Sequence, residues 1–292
     1  MTKNKATLLG FVAVILWSFL ALFTVGTAPM PPLLLNAVCF AIGGGLGLFW
    51  TAQSGGFSKL RSVPLWVFGF GTVGLFGYHA LYFSALRLAP AAEAGLIAYL
   101  WPLLIVLFSG FLPSENLKRA HILGAIVAFT GAALIVLGGG EGFNADASAG
   151  YALAFCCALF WSGYSVISRH LGDVPTAAVS IFCIATAALS FGLHLTLETT
   201  AWPQGALGWG SVLALGLGPV GLAFYVWDVG VKKGDIQLLG TGSYAAPLLS
   251  TLILVAAGVA RANWTLVLAA ILITAGALIA ARASVSSRDQ AK

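Results

Sequence analysis

Long apolar runs separated by short polar connections constrain this chain more than any other feature. Each run is about 20 residues long and apolar on every face, which is the length an α-helix needs to cross a bilayer. A β-barrel would instead show segments of about ten residues with alternating polarity. Charged residues make up only 8% of the 292 residues, whereas soluble domains carry about 25%. The sequence therefore predicts an all-α membrane protein with ten transmembrane helices, within residues 7–26, 33–52, 63–86, 91–112, 118–138, 149–168, 176–197, 207–230, 236–257 and 263–281.

The distribution of basic residues predicts the orientation of these spans. An even number of spans puts both termini on one side, and Lys and Arg mark the cytoplasmic side. With cytoplasmic termini, the inner connections carry twelve basic residues and the outer ones only Arg87 and Arg261. We interpret Arg169 and His170, at the inner end of span 6, as topology anchors. The inner basic residues are Lys3, Lys5, Lys59, Arg61, Lys118, Arg119, Arg169, Lys232, Lys233, Arg282, Arg288 and Lys292.

An internal repeat divides the chain into two halves, 1–140 and 141–292. Trp17 and Ser18 recur as Trp161 and Ser162 at an offset of 144 residues, and the stretch 99–102 recurs as 244–247 at an offset of 145. Each half holds five spans. Since five is odd, the second half would enter the membrane from the opposite side, which gives two inverted five-helix repeats. Such repeats can exchange conformations, and this exchange is the basis of alternating access.

A proline interrupts the middle of spans 4 and 9. Residues 99–102 read Tyr-Leu-Trp-Pro and residues 244–247 read Tyr-Ala-Ala-Pro. A proline inside a helix removes one backbone donor, so we expect a break in each span with the carbonyls of Ala98 and Ser243 freed. Because a lost backbone bond creates a bend point, Pro102 and Pro247 are predicted gating kinks.

Polar-tipped aromatic residues near span centres are the candidates for a binding site. Tyr78, His79 and Tyr82 lie on neighbouring faces of span 3. A histidine at this depth should face a cavity or a partner, so a substrate contact and a core histidine bonded to another helix both remain open. Mid-span tryptophans are either lipid-facing packing or the lining of a mostly apolar pocket. The predicted substrate-binding residues are Trp17, Tyr78, His79, Tyr82, Tyr99, Trp101, Trp161, Tyr164, Tyr225, Trp227, Ser243 and Tyr244.

The charged residues and cysteines give fewer candidates. Asp228 stands four residues before Lys232, so we expect an ion pair on one helix face, with proton coupling as the alternative role. Glu93 and Arg87 are interpreted as surface charges at the outer end of spans 3 and 4, with attraction of a zwitterionic solute as the alternative role. The four cysteines lie inside apolar runs without metal-ligand spacing, which predicts buried free thiols and neither metal nor cofactor. Scattered basic residues exclude nucleic acid, and no catalytic constellation is present.

With these features the chain resembles the drug/metabolite transporter superfamily, in its EamA branch. The turn that follows span 4 in that branch appears as residues 113–116, Pro-Ser-Glu-Asn, whereas Ala260 and Arg261 stand where the second glutamate would fall. More narrowly, the stretch 99–102 with residues 234–239 and 243–247 resembles an exporter of aromatic amino acids in that branch.

The resemblance implies a multi-pass protein of the bacterial inner membrane that exports aromatic and related amino acids by alternating access. Its central cavity would be lined by spans 1, 3, 4, 6, 8 and 9. Export of other small metabolites or amphipathic drugs is the alternative within transport, and a channel or a membrane-embedded enzyme is the alternative in another class. The sequence leaves the oligomeric state open, with a monomer as the simplest case.

Overall fold

The protein is built from α-helices. The computed structural model describes residues 1–113, 115–137, 142–258, 261 and 263–289, with side chains as far as residue 284, and no β-strand occurs in these ranges. The helices are α1 (Lys3–Ser18), α2 (Leu20–Gly26), α3 (Pro32–Gln53), α4 (Phe57–Arg61), α5 (Leu65–Leu88), α6 (Ala91–Ala98), α7 (Trp101–Ser109), α8 (Arg119–Leu137), α9 (Ser148–His170), α10 (Ala178–Leu197), α11 (Gly205–Leu217), α12 (Ala223–Lys233), α13 (Ile236–Gly242), α14 (Ala245–Ala256) and α15 (Trp264–Asp289).

Nine helical stretches in the described part of the chain are long and apolar enough to cross a membrane. Several consist of two consecutive helices, such as α6 with α7 and α13 with α14. Helix α5 has 24 residues and is therefore long enough, but it is not among these nine. An all-helical protein with many membrane-length helices was predicted, and the structure has this architecture.

The proline-containing stretches do break their helices. Helix α6 ends at Ala98 and α7 begins at Trp101, while α13 ends at Gly242 and α14 begins at Ala245. The Ser243 carbonyl, however, is not freed as expected, because it accepts the Ala246 N–H at 3.0 Å in a tighter turn. Pro247 therefore redirects this bond rather than leaving an open acceptor.

Two further interruptions were not predicted. One separates α1 from α2 at Phe19. The other is a π-helical turn, Gly218–Leu222, between α11 and α12, and it contains Pro219. A proline lacks the N–H that an α-helix would use, so a wider turn at this point is the expected local response.

Small residues let the helices approach closely in pairs. The most extensive contacts join α8 with α15, α3 with α10, α5 with α9 and α1 with α12. A Cβ atom at Gly276 would come within 2.4 Å of the Gly124 carbonyl oxygen, and a Cβ at Gly230 within 2.6 Å of the Gly10 Cα. Only glycine therefore fits these crossings, as is common where membrane helices pack.

Some sequence predictions fall outside the described residues. These are the boundary between the halves at residues 140 and 141, Ser114 and Ala260 of the two turns after spans 4 and 9, and Lys292 and the Arg288 side chain among the inner basic residues.

Candidate functional site

Four tryptophans from four different spans meet in the middle of the helical assembly. Trp17 lies near the end of α1, Trp101 starts α7, Trp161 lies in α9 and Trp227 in α12. All six ring pairs are in contact, with centroid distances from 5.1 to 6.3 Å and mostly edge-on geometry. We call these four residues the tryptophan cluster. Edge-on and offset contacts at such distances are the favourable arrangements for aromatic rings.

The helix breaks and the polar tips of the rings hold the tryptophan cluster in place. The Trp17 indole N–H donates to the Pro219 carbonyl at 3.1 Å, within the π-helical turn. The Trp227 indole N–H donates to Ser165 Oγ at 3.1 Å. Among the described residues, the indole N–H groups of Trp101 and Trp161 have no hydrogen-bond partner. Two donors at the centre of the cluster thus remain available.

Phenylalanines and tyrosines extend the tryptophan cluster. Tyr164 stacks on Trp161 at 5.4 Å and Tyr78 contacts the same ring at 5.5 Å. Phe224 packs against both Trp17 and Trp161, and Phe40 stacks on Phe224 at 5.3 Å. Phe40 and Phe224 were not predicted, because nothing in the sequence separates them from the other phenylalanines of a chain that has 19.

Four of the predicted site residues form a half-buried group beside the cluster. They are Tyr78, His79, Tyr82 and Tyr99. The His79 ring contacts Tyr78 at 5.2 Å, and its Nδ1–H donates to the Leu75 carbonyl at 2.7 Å. In a neutral imidazole this bond leaves Nε2 as an acceptor. His79 is therefore held by its own helix and keeps one polar atom for another partner.

Three predicted site residues point elsewhere. The Tyr225 hydroxyl donates to the Gly43 carbonyl at 3.0 Å, so its ring faces α3. Tyr244 is fully buried against Phe129 of α8, and the Ser243 hydroxyl bonds to the Leu239 carbonyl one turn earlier. These residues do not touch the tryptophan cluster in this conformation.

The cluster is closed, because its rings contact one another without a gap that could admit a substrate ring. A cavity of about 100 Å³ lies instead between α8, α14 and the start of α15, where Thr251, Arg261 and Asn263 line it. Another, of about 10 Å³, lies beside Asp228 and Lys232. A ligand would reach the tryptophan cluster only after its rings separate.

Asp228 forms the ion pair that its spacing predicts. The Lys232 ammonium lies 2.8 Å from Asp228 Oδ1 and also donates to the Val174 carbonyl, while the Thr176 hydroxyl donates to Asp228 Oδ2 at 2.6 Å. The side chains are only 1% and 5% exposed for Asp228 and Lys232. The carboxylate is thus fully paired in this conformation.

Four charged residues form a second network, which we call the charge network. Glu115 lies between Arg169, to which it is directly hydrogen-bonded, and Lys3, whose ammonium is 3.8 Å away. Lys3 is also 3.9 Å from Asp235, the residue that caps α13. These residues join α1, α9, α13 and the connection before α8.

Arg169, predicted as a topology anchor, also makes hydrogen bonds that were not predicted. Its guanidinium donates to the carbonyls of Val231 and Gly234, at 2.8 and 3.0 Å, where α12 ends. Glu93, interpreted as a surface charge, is fully buried, and it accepts the Gly142 N–H at 2.6 Å. The sequence gives no signal for either contact, because each partner is a backbone group of a distant segment.

Within the described ranges, no group of three or more His, Cys, Asp or Glu side chains could hold a metal ion. The four cysteines are free thiols, of which Cys156 is half-buried and the others buried.

Membrane-length helices that break around a cluster of aromatic rings define a polytopic membrane protein. The EamA-like transporter family matches the chain over residues 4–137 and 148–282. The chain therefore belongs to the EamA-like transporter family, which confirms the resemblance seen in the sequence. It is a transporter and not an enzyme.

Similar proteins span most of the chain. The aromatic amino acid exporter YddG of Ancylobacter novellus is 54% identical over 285 residues, which cover 96% of this chain and 98% of that protein. The aromatic amino acid exporter YddG of Salmonella typhimurium is 28% identical over 269 residues, covering 86% of this chain and 88% of that protein. A crystal structure of a protein with 52% identity superposes with a TM-score of 0.92, covering 96% of this chain and 97% of its own.

Proposed function

We propose that this protein exports aromatic and related amino acids across the bacterial inner membrane by alternating access. The tryptophan cluster is the observation that carries the proposal. Its four rings come from four spans and touch in all six combinations. Each such contact contributes about 0.5–1.5 kcal/mol beyond burial. An aromatic substrate can replace these contacts as the cluster opens, whereas an aliphatic one replaces them poorly. The relatives named as aromatic amino acid exporters support the same substrate class.

The polar groups beside the cluster suit the other end of an amino acid. The free indole N–H groups of Trp101 and Trp161 can donate to a carboxylate. His79 Nε2 and the hydroxyls of Tyr78 and Tyr82 can accept from an ammonium group. Tyr99 and Tyr164 complete the walls of the binding site. Spans 8 and 9 would have to rotate before the Ser243 hydroxyl and the rings of Tyr225 and Tyr244 could contact a substrate. We assign substrate binding to the indole, imidazole and phenol groups named first, once the rings of the tryptophan cluster have separated.

The helix packing supports two inverted five-helix repeats, 1–140 and 141–292, with α5 as the tenth transmembrane helix. Spans 1 and 8 pack together as α1 and α12, and their counterparts in the other half, spans 6 and 3, pack together as α9 and α5. The α3–α10 and α8–α15 pairs each join a span to its own counterpart. Such a contact pattern is expected for two repeats related by a pseudo-two-fold axis.

We place both termini in the cytoplasm, following the bias of the basic residues. The charge network then closes the cytoplasmic end, since it ties α1 to the ends of α9 and α12. The half-buried Tyr78, Tyr82 and Tyr99 lie on the opposite side of the tryptophan cluster. Pro102 and Pro247 act as gating kinks at the breaks of spans 4 and 9. Asp228 takes part in proton coupling only if its ion pair with Lys232 opens during transport.

Counterflow into liposomes tests this function. Liposomes containing the protein are loaded with unlabelled amino acid, and uptake of labelled L-phenylalanine is followed with and without a pH gradient. The proposal predicts a saturable overshoot with L-phenylalanine, L-tyrosine or L-tryptophan inside and little with L-alanine or glycerol. An overshoot only with non-aromatic metabolites would overturn the substrate class, and unsaturable flux would indicate a channel.

A further inference from the structure

The two helix breaks are joined by a hydrogen bond. The Leu103 N–H, just after the break in span 4, donates to the Tyr244 hydroxyl at 3.0 Å. Tyr244 is itself the residue that precedes α14 at the break in span 9. Its ring is fully buried, with Phe129 at 5.8 Å. A side chain from one proline-containing stretch therefore binds the backbone of the other.

This bond gives the Leu103 N–H the acceptor that the broken helix does not provide. The first N–H groups of a helix have no partner within it, and α7 begins at Trp101. Pro102 has no N–H, and the Leu104 N–H already bonds to the Leu100 carbonyl at 2.9 Å. An unpaired buried N–H is as costly as a lost hydrogen bond. Tyr244 thus caps α7 from across the repeat interface.

The equivalent bond in the other direction would join Tyr99 to the N–H of Leu248. Tyr99 and Tyr244 occupy the same place in the repeated stretch, as do Leu103 and Leu248. Tyr99 is half-buried, and its hydroxyl has no hydrogen-bond partner among the described residues. The two repeated stretches therefore differ in their hydrogen bonds, as expected when a transporter of inverted repeats is open to one side of the membrane.

We propose that Tyr244 is a positioning residue for transport, and that Tyr99 takes its role in the conformation open to the cytoplasm. In the present conformation the Tyr244 hydroxyl fixes the start of α7 and hence Trp101 in the tryptophan cluster. On opening to the cytoplasm this bond breaks, and the Tyr99 hydroxyl accepts the Leu248 N–H, fixing α14 instead. The inference rests on the proposed function through its alternating-access mechanism.

Removing each hydroxyl separately tests the exchange. Tyr244→Phe should shift the protein toward the cytoplasm-open conformation, and Tyr99→Phe should shift it away. Each shift should be about fivefold, the value of one net hydrogen bond. The matched control is Tyr151→Phe, because the Tyr151 hydroxyl also accepts one backbone N–H, that of Asn144, but far from either break.

The readout is the labelling rate of a single reporter cysteine, Ser168→Cys, in protein whose four native cysteines are replaced by alanine. Ser168 is buried near the inner end of α9, so a membrane-impermeant maleimide added to inside-out vesicles should react only in the cytoplasm-open conformation. We expect labelling about fivefold faster in Tyr244→Phe, about fivefold slower in Tyr99→Phe, and unchanged in Tyr151→Phe.

Shifts of the same sign in both variants, or a shift as large in Tyr151→Phe, would overturn the inference. If Tyr244→Phe fails to fold, Tyr99→Phe alone tests the inference, because the Tyr99 hydroxyl makes no hydrogen bond to the described residues in the present conformation. Unchanged labelling in Tyr99→Phe would then overturn the inference. Labelling is measured without substrate. Normal phenylalanine counterflow with unshifted labelling would reject only this inference, whereas opposite shifts without counterflow of any aromatic amino acid would reject only the proposed function.

Discussion

Arg169 is the side chain whose loss should most strongly open the cytoplasmic end. Its side chain is 12% exposed and that of Glu115 4% exposed, so the pair is largely removed from water. The guanidinium also caps the end of α12 through the carbonyls of Val231 and Gly234. Replacing it with methionine would leave the Glu115 carboxylate, among the ion pairs of the described residues, with Lys3, 3.8 Å away on a side chain that is 41% exposed.

The size of the effect follows from this geometry. Breaking a buried ion pair by removing one partner costs about 3–5 kcal/mol. Because Lys3 still compensates part of the charge, we take the lower end, about 3 kcal/mol, for Arg169→Met. If these contacts exist only in the closed conformation, the whole cost raises the cytoplasm-open population by about a hundredfold. Arg169→Lys should give a smaller shift because it keeps a positive charge beside Glu115, although an ammonium cannot donate to Glu115 and two carbonyls in the same fixed geometry.

Labelling of the Ser168→Cys reporter measures this shift. The control is the double variant Arg169→Met with Glu115→Leu, which removes both charges. Since no uncompensated buried carboxylate remains, labelling should return most of the way toward the wild-type rate. A rate within twofold of wild type in Arg169→Met would refute the idea that the charge network closes this end. An unchanged rate in the double variant relative to the single one would show that the ion pair itself does not matter.

Two other substitutions test the break in span 4 and the buried ion pair. Pro102→Ala restores an N–H that can bond to the Ala98 carbonyl, so span 4 should stiffen and phenylalanine exchange should slow, whereas normal turnover would rule out a hinge at this proline. Asp228→Asn leaves the Lys232 ammonium buried and should lower thermal stability by about 3 kcal/mol, with recovery when Lys232→Met is added. If Asp228 carries a proton, that stable double variant loses any dependence of counterflow on the pH gradient, and a retained dependence assigns coupling to another group.

The membrane-length helices and the breaks in spans 4 and 9 could be predicted because each has a local cause. Apolar runs of membrane length and prolines at span centres act within a few residues, so α6, α7, α13 and α14 follow from the sequence. The π-helical turn at Pro219 has the same kind of cause, but the adjoining run is apolar without interruption and gives no sign of how the chain relaxes. The break at Phe19 has no comparable signal.

The arrangement of the side chains could be predicted only in part. Trp17, Trp101 and Trp161 stand out because tryptophan is unusual at mid-membrane depth, whereas Trp227 was predicted from its place on span 8, the counterpart of span 3. The orientation of Tyr225 and Tyr244 could not be read, because a helix that is apolar on every face gives no sign of which neighbour each face meets. The contacts of Arg169 and Glu93 depend on backbone groups far along the chain. These are consequences of packing, which no local pattern encodes.

Phenylalanine counterflow in variants of the tryptophan cluster tests most directly that this cluster is the transport site. Trp101 contacts three other rings of the cluster, whereas Trp209, 48% exposed on α11, stacks only with Trp202 among the described aromatic residues and provides a matched control. We predict that Trp101→Ala and His79→Ala reduce the initial rate of L-phenylalanine counterflow at least about tenfold, with the protein still expressed and monodisperse, while Trp209→Ala retains it. If Trp101→Ala does not fold, Trp101→Phe keeps a ring but loses the free indole N–H, and a reduced rate is again expected. Unchanged counterflow in both Trp101→Ala and His79→Ala would contradict the account.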